Sequence, residues 1–208
     1  MNQILQKCAY HYRYGGFRGL SHKAIDYALR TLWSQDQWVI YERSLRNGIC
    51  APRPNVVRRE LGFRELVDLR YFKALDFPEA IRRRIDAGNM CHGFFEGNRL
   101  ATIGWSSADY LELDADLQLP YNGSVGLYDF FTYGEFRSKG YYTNALVQLL
   151  AVMSAAGLVN AYIAVNPNNA PSIRGIERAG FRRALRIARR RRVGVQKIVA
   201  EEIATHEI

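Results

Sequence analysis

The sequence has few cysteines, no long apolar run and no internal repeat, and each absence excludes a class of protein. Three cysteines in 208 residues, Cys8, Cys50 and Cys91, are odd in number and far apart. This pattern favours free thiols in a reducing cytoplasm over a disulfide framework or a zinc site. No apolar run approaches the ~20 residues of a membrane-spanning helix, and the amino terminus has no signal-peptide core. We therefore expect an unexported, cytoplasmic protein.

The residues that are present make an ordinary globular composition with a basic charge balance. Apolar residues are 48% of the chain, enough for one substantial domain, or for a domain with an added element at one end. The formal net charge of +9 favours acidic partners such as nucleic acid, anionic lipid, an acidic carrier protein or a phosphorylated ligand. Arginine is concentrated in 82–86 and 182–192, but most charge runs are solvated faces.

The first half of the chain is predicted to be mainly helical around one strand. The stretch "SHKAIDYALRTLW" (21–33) begins with a capping serine and has apolar residues on one face, which predicts an amino-terminal helix. Residues 37–45 are rich in aromatic and branched side chains and read as a strand. One or two helices are expected between 56 and 87, the last beginning at Pro78 and ending at Gly88.

The second half is predicted to alternate strands with helices. A hairpin is expected over 90–105, around the turn "EGN", and the polar, acidic residues 106–123 predict a loop. Residues 124–133 read as a strand whose alternation places Val125, Leu127, Asp129 and Phe131 on one face and Gly126, Tyr128, Phe130 and Thr132 on the other. The remaining elements are a helix from 141 to about 156, a strand at 159–165 buried on both faces, a short helix between Asn169 and Gly180, and strands near 182–191 and 194–200.

Together these elements predict an α/β (α+β) fold. The expected architecture is a mixed central β-sheet with helices on both faces, plus the extra N-terminal helix. We place the boundary between an N-terminal helical extension, 1–36, and the main domain, 37–208.

The stretch "EFRSKGYYTNAL" (135–146) has the composition of an anion-binding turn. The first amides of a helix have no acceptor within the helix, and with the positive end of the helix dipole they attract anions. Gly140 lets the backbone approach a ligand, while Arg137 and Lys139 add positive charge. Alone the signal is weak, because ordinary strand-to-helix turns share these features.

Two motifs together resemble the signatures of the GNAT N-acyltransferase superfamily. "EFRSKGYYTNAL" is similar to Arg/Gln-x-x-Gly-x-Gly/Ala followed by a helix. "NNAPSIRGIERAGF" (168–181) is similar to the later Asn-x-x-Ala/Ser, helix, Gly-Phe motif, with Asn169, Ser172, Gly180 and Phe181 in the matching places. The resemblance covers roughly residues 37 to 200 and leaves the first thirty-odd residues outside it.

The resemblance implies a cytosolic enzyme that binds acetyl-CoA or another acyl-CoA. The strand at 124–133 and the strand at 159–165 would splay apart, and the pantetheine arm would pair with Phe131, Thr132 and Tyr133, with Asn169 and Ser172 along its side. A backbone amide near Thr132 would polarise the thioester carbonyl. The pyrophosphate would lie on the turn formed by Arg137, Ser138, Lys139, Gly140, Tyr141, Tyr142 and Thr143.

The chain departs from the family pattern at two positions. Tyr142 stands where the first motif ends in Gly or Ala, so its ring is expected either to crowd the pyrophosphate or to stack over the cofactor. Ile176 stands where many members have a tyrosine that protonates the departing thiolate. Either Tyr128, Tyr133 or Tyr141 does this instead, or the thiolate leaves unassisted. We take Tyr128 as a candidate catalytic residue.

A base is also needed, because an amine with a pKa near 10 is mostly protonated at neutral pH. Asp129, a carboxylate in an otherwise apolar strand, is the best candidate. The alternative for Asp129 is a structural pair with an arginine, a common arrangement that also perturbs pKa values. Glu42 and His92 are weaker candidates, and His92 is more often a satisfied core histidine. The acidic residues of 106–123 attract a cationic acceptor or simply form a solvated loop.

We see no metal cluster and no nucleophile motif, so direct attack of an amine on the thioester is the simplest mechanism. The first hypothesis is an N-acetyltransferase that acts on a small amine, such as an amino sugar or a metabolite. A second keeps the fold but takes a longer acyl group from CoA or from an acidic acyl carrier protein. A third is a non-catalytic module that binds CoA or, less in keeping with the sequence, nucleic acid through "RIARRRR". The first helix either forms a homodimer or walls the acceptor pocket.

Overall fold

A computed structural model describes residues 33–46, 49, 55–69, 78–114, 117–192 and 195–202. The amino-terminal helix expected over 21–33 lies outside these residues, apart from Trp33. Trp33 is the first residue of a strand.

Eight strands form one mixed sheet. Their order across the sheet is β2-β3-β4-β5-β6-β1-β7-β8. β5 and β6 run parallel, whereas β1–β6, β2–β3, β3–β4 and β4–β5 are antiparallel pairs. The bounds are β1 Trp33–Ser44, β2 Val56–Leu61, β3 Met90–Glu96, β4 Arg99–Asp114, β5 Leu117–Thr132, β6 Asn160–Val165, β7 Arg182–Arg192 and β8 Val195–Glu202.

Helices connect the strands, and several begin and end as the sequence indicates. They are α1 Phe63–Asp68, α2 Pro78–Asp86, α3 Tyr141–Ala155 and α4 Ala170–Arg178, with a 3₁₀ turn at Gly134–Phe136. Gly88 follows α2 with a φ of 80°, a conformation that ends helices and favours glycine. At α4, the side chain of Asn169 caps the helix by accepting from the Ser172 amide at 3.3 Å.

Two apolar clusters cover the two faces of the sheet. One packs α3 and α4 against residues such as Leu127 and Ile163. The other contains Leu66 of α1, Ile81 of α2 and Tyr128. Leu127 and Tyr128 are successive residues of β5, and successive strand residues point to opposite faces. Helices therefore lie on both faces, as expected.

One segment expected to be helical is a strand. Residues 56–61 were placed among the helices of 56–87, but they form β2, which pairs with β3 from Val56↔Glu96 to Leu61↔Cys91. The sequence "VVRREL" contains good helix formers. Pairing with β3 and burial of Val56 and Leu61 at its two ends override that local preference.

The loop expected over 106–123 is also wrong, because β4 and β5 continue as a long hairpin to Asp114 and from Leu117. Asp109 and Gly123 have φ values of 62° and 70°, and the Asp109 carboxylate accepts from the Gly123 amide at 2.7 Å. Leu111 is buried. Within this polar segment, the residues "YLEL" (110–113) alternate in polarity, as in a strand with one buried face.

Two smaller expectations need correction. β6 is fully buried on one face only, through Ala161, Ile163 and Val165, while the alternate residues are half-buried. In α3, Ala145, Leu149 and Met153 are buried as expected. Ala156 lies just beyond the helix end and is exposed.

The chain divides into two compact units, one of Met1–Gln37 with Arg186–Glu201 and one of Trp38–Leu185 with Glu202–Ile208. The division expected between 36 and 37 remains a prediction. Within the first unit, Arg189 is buried and donates two hydrogen bonds to Asp36, at 3.1 and 2.8 Å. The "RIARRRR" run is therefore not one continuous exposed basic surface.

Candidate functional site

A gap opens between the two parallel strands. β5 and β6 pair from Ser124↔Asn160 to Leu127↔Ile163, after which β5 continues to Thr132. The strands therefore separate at their carboxyl ends, as the resemblance implied. In α/β sheets, such an opening is where ligands bind.

A β-bulge shapes β5 at the start of the gap. Tyr128 pairs with Trp105 and Phe131 with Ile103, so Asp129 and Phe130 together oppose the single residue Gly104. Asp129 has a φ of 51°. A Cβ at Gly104 would lie 2.5 Å from the Phe130 ring, so only glycine fits there.

The bulge reverses the alternation of β5. Leu127 and Phe130 pack on the α3 side, whereas Tyr128 and Phe131 pack on the α1 and α2 side. The regular alternation expected over 124–133 is therefore wrong beyond Tyr128, because one inserted residue exchanges the two faces. Leu127 and Phe131 therefore lie on opposite faces, and Asp129 contacts Arg84 of α2, on the side of Phe131.

The turn before α3 has the backbone of an anion site. Ser138 and Gly140 have φ values of 59° and 82°, and the first backbone hydrogen bond of the helix runs from the Asn144 amide to the Gly140 carbonyl at 3.0 Å. The amides before Asn144 thus precede the first bond of the helix, at the positive end of its dipole. Arg137, Ser138 and Lys139 are exposed around them.

The Arg137 side chain folds back onto β5. Its Nε donates to the Thr132 carbonyl at 3.0 Å, and its guanidinium lies 5.4 Å from the Phe131 ring. The Tyr133 amide donates to the Ala101 carbonyl of β4 at 3.0 Å, so this amide is engaged within the sheet. Because neighbouring residues of a strand point their polar groups to opposite edges, the backbone of Thr132 faces the gap.

Tyr142 does neither of the two things expected of its side chain. A Cβ at Gly175 of α4 would lie 2.4 Å from the Tyr142 ring, and Phe130 meets that ring edge-on at 5.8 Å. Burial raises the pKa of the Tyr142 hydroxyl. The ring therefore packs inward between α3 and α4, and only the backbone of Tyr142 remains a candidate for phosphate binding.

The candidate acids differ in their surroundings. The Tyr141 hydroxyl donates to Glu96. Burial, and secondarily the charge of Cys91, raises the pKa of Tyr133. Tyr128 is buried, its hydroxyl has no hydrogen-bond partner among the described residues, and burial raises its pKa. Phenols with raised pKa values keep their protons, so Tyr128 and Tyr133 suit hydrogen bonding to a ligand better than proton transfer to a thiolate.

Ile176 occupies the position at which the resemblance would place a proton-donating tyrosine. Ile176 is fully buried on the inner side of α4, in the cluster that also holds Leu127. Its side chain contributes packing and no proton. The Asn169 side chain caps α4, and Ser172 is half-buried in the first turn of this helix.

Asp129 forms the arginine pair that was its alternative. Its Oδ2 lies 2.7 Å from an Arg84 nitrogen, which also lies 2.7 Å from Oε1 of Glu112. The Asp129 side chain is 49% exposed, compared with 10% for Glu112, so one carboxylate opens to solvent and the other is enclosed. Sequence reasoning missed Arg84. The available signal was its place beside the buried stripe of Ile81 and Ile85 in α2.

His92 is a satisfied core histidine. It is fully buried, with Nδ1 3.0 Å from an Arg58 nitrogen and Nε2 2.8 Å from Ser106 Oγ. Arginine only donates, so Nδ1 accepts and the proton is on Nε2. Burial, aided by Arg58, lowers the pKa of His92 to about 4. Glu42, the other weak candidate, lies half-buried in β1, two strands away from β5.

The described residues also bear on metal binding and on membrane insertion. Within the described ranges, no three His, Cys, Asp or Glu residues are grouped so as to hold a metal ion. Nor is any helix in the part of the chain that the structure describes long and apolar enough to cross a membrane.

The fold is that of the GCN5-related N-acetyltransferases. A GCN5-related N-acetyltransferase from Sphaerobacter thermophilus matches 88% of this chain with a TM-score of 0.55 and 13% identity. A protein from Novosphingobium aromaticivorans that is assigned to the GNAT acetyltransferases matches 82% with a TM-score of 0.53 and 18% identity. A glucosamine N-acetyltransferase region of a fungal β-N-acetylglucosaminidase matches 86% with a TM-score of 0.53 and 13% identity.

These likenesses define the fold and not the reaction. The chain spans 58%, 66% and 22% of the length of those three proteins. No family model and no curated protein matches the sequence.

Proposed function

We propose that the chain is an acyl-CoA-dependent N-acyltransferase that transfers acetyl from acetyl-CoA to the primary amine of a small molecule. The observation that carries this proposal is the continuity of the gap with the turn. The opening beyond Leu127↔Ile163 leads along β5 to the left-handed residues Ser138 and Gly140 at the start of α3. A strand edge beside a helix terminus suits an amide-containing arm attached to a diphosphate.

The donor is held by backbone and basic groups. The diphosphate binds the amides at the start of α3, with Lys139 near by. Arg137 leaves the Thr132 carbonyl to face the phosphates, which frees that carbonyl for the pantetheine arm. The predicted contacts of Asn169 and Ser172 with this arm stay part of the proposal.

The reaction is a direct transfer. A deprotonated amine attacks the thioester carbon, the new C–N bond forms as the C–S bond breaks, and the oxygen passes through an oxyanion stabilised by a backbone donor near Thr132. Starting from its ammonium form, the amine loses two protons, one before the attack and one as the amide forms; the CoA sulfur gains one and a base accepts the other. Asp129 is the proposed base for the first of these protons, directly or through water.

A small amino-bearing acceptor, such as an amino sugar, fits the proposal best. The fungal region to which this chain is similar is a glucosamine N-acetyltransferase, and this supports an acceptor of that kind. The cytoplasm is the proposed location.

Substitution of Gly140 tests the donor site. Gly140→Glu places a carboxylate against the diphosphate and is expected to raise the KM for acetyl-CoA tenfold or more, about 1.4 kcal/mol. Gly157→Glu is the matched control, because Gly157 lies at the other end of the same helix with nearly the same φ, 83°. Both variants carry the same backbone strain. An unaltered KM in Gly140→Glu contradicts the donor site.

A further inference from the structure

A charged cluster lies on the α1 and α2 side of the gap. Arg84 bridges Glu112 of β4 and Asp129 of the bulge at 2.7 Å each. The cluster has a buried end and an exposed end. The Arg84 and Glu112 side chains are 15% and 10% exposed, whereas the Asp129 side chain is 49% exposed. Two carboxylates thus flank the Arg84 guanidinium, and Asp129 is the one that opens to solvent. A carboxylate accepts several hydrogen bonds, so the half-exposed Asp129 can accept one from a ligand's ammonium group in addition to its contact with Arg84.

Two buried donors adjoin this cluster. The rings of Trp105 and Tyr128 stack at 6.4 Å, and the Arg84 guanidinium lies 5.3 and 5.2 Å from them. In the described part of the chain, neither Tyr128 Oη nor Trp105 Nε1 has a hydrogen-bond partner. Buried polar groups are nearly always paired, so two neighbouring exceptions indicate that something else satisfies them.

The Tyr128 ring lies beside the charges, with the Arg84 guanidinium 5.2 Å from its centroid. Burial raises the pKa of the Tyr128 hydroxyl, Glu112 raises it further, Arg84 opposes the shift, and Tyr110 and Asp129 add smaller increases. The hydroxyl keeps its proton and can donate it in a hydrogen bond.

The cluster lies beside the gap between β5 and β6, where an acceptor amine would have to bind. Tyr128 directly follows Leu127, the last β5 residue that pairs with β6. It faces away from α3, whose first turn is proposed to hold the donor. An acceptor at Tyr128 and Asp129 would thus approach the acyl group from the face opposite α3.

We propose that this cluster is the acceptor site and selects a cationic amine that carries a hydrogen-bond-accepting oxygen, as in an amino alcohol or amino sugar. The ammonium group binds Asp129, and the oxygen accepts from Tyr128, with the Trp105 indole as the second donor. Acceptors with a carboxylate are disfavoured by Glu112 and Asp129. This inference rests on the proposed function.

The test compares acceptors that differ in one oxygen. Ethanolamine and propylamine are nearly isosteric, and kcat/KM with acetyl-CoA is measured for each. We expect the wild-type protein to prefer ethanolamine by tenfold or more, because a buried donor left unpaired disfavours the analogue without oxygen. Glycine, which replaces the hydroxymethyl group by a carboxylate, is expected to react at least tenfold more slowly than ethanolamine.

Tyr128→Phe is the informative variant. The Tyr128 hydroxyl has no partner among the described residues, so its removal leaves the fold stable, and the preference for ethanolamine is expected to fall towards one. Tyr110→Phe is the matched control, because Tyr110 is a nearby tyrosine whose hydroxyl already donates to Asn89 at 2.6 Å. It should retain the wild-type preference.

The outcomes separate the two proposals. If calorimetry shows no binding of acetyl-CoA to the wild-type protein, the proposed function fails. If acetyl-CoA binds but no oxygen-bearing amine is acylated, the acceptor class is wrong. If amines are acylated without an oxygen preference, or if Tyr128→Phe keeps that preference, the acceptor site is wrong while the function stands.

Discussion

At the scale of single residues, the partners and burial of a titratable side chain indicate whether its role is structural or catalytic. His92 has both ring nitrogens engaged, by Arg58 and Ser106. Asp129 is paired but half-exposed at a bulge beside the gap. The sequence named both as candidates, and their burial separates them.

His92 should make the stability of the protein depend on pH. Its pKa is lowered to about 4 in the folded state, against 6.5 when unfolded. Between these values the unfolded chain binds the proton better, so the stabilisation present above pH 6.5 is lost as the pH falls towards 4. At 1.36 kcal/mol per pKa unit, the loss is about 3 kcal/mol.

Urea unfolding between pH 7 and pH 4 measures this effect. His92→Asn is expected to be less stable at pH 7 and to show a shallower slope in this range. An equal slope in both proteins assigns the pH dependence to other groups.

Asp129→Asn tests the proposed base. Asparagine tolerates the left-handed backbone of this position, so the change removes charge with little strain. We expect at least tenfold slower turnover at pH 7, with the loss easing towards pH 10, because more amine is then already deprotonated.

Asp109→Asn is the control for that substitution, because Asp109 is also exposed and left-handed, with a φ of 62°. Its turnover should match the wild type. If Asp129→Asn also matches, Asp129 has only its structural role with Arg84.

At the scale of elements, local signals determined where most helices begin and end, while pairing determined the strands that were missed. Pro78, Gly88 and the Asn169 cap act within one or two turns of their helices, so the sequence alone revealed them. β2 and the hairpin beyond Ser106 form because a partner strand satisfies their backbones. The β5 bulge likewise depends on Gly104 of β4, which no reading of β5 alone includes.

The packing of α3 on α4 depends on the pair Tyr142 and Gly175. Alanine is normally favoured over glycine in a helix by about 1 kcal/mol. A Cβ at Gly175 would nevertheless lie 2.4 Å from the Tyr142 ring, and such overpacking costs about 1–3 kcal/mol. We expect Gly175→Ala to destabilise the protein by about 1 kcal/mol.

A double-mutant cycle with Tyr142→Ala checks this packing. In that background the ring is gone, so Gly175→Ala should become stabilising by about 0.5–1 kcal/mol. The measurement is the free energy of unfolding in urea. Equal effects of Gly175→Ala in both backgrounds contradict the inward position of the ring.

At the scale of the whole molecule, binding of an anion at a specific site must be distinguished from the general attraction of anions to a basic protein. The formal net charge is +9, and such a field attracts many anions. Screening by salt reduces that general attraction. A specific binding site still distinguishes ligands of similar charge when salt screens the general attraction.

Acetyl-CoA is expected to stabilise the fold. At one hundred times its Kd, it should add about 2.7 kcal/mol to the free energy of unfolding. For a chain of this length, that corresponds to a rise in Tm of about 5–10 °C. Thermal unfolding at 150 mM salt measures the shift, with inorganic pyrophosphate and pantetheine as controls. Neither control combines the diphosphate with the arm, so each should shift the Tm less; an equal shift by pyrophosphate indicates general anion binding.

Periodicity and residues a few positions apart were enough to predict the layered α/β class, the glycine turn before α3 and the capped α4. The folded chain was needed to show which way Tyr142 turns, that His92 is structural, and that Asp129 shares Arg84 with Glu112. Each of those depends on a partner far away in the chain. The physical reason is that side-chain environments are set by burial and by contacts across strands, which no local pattern encodes.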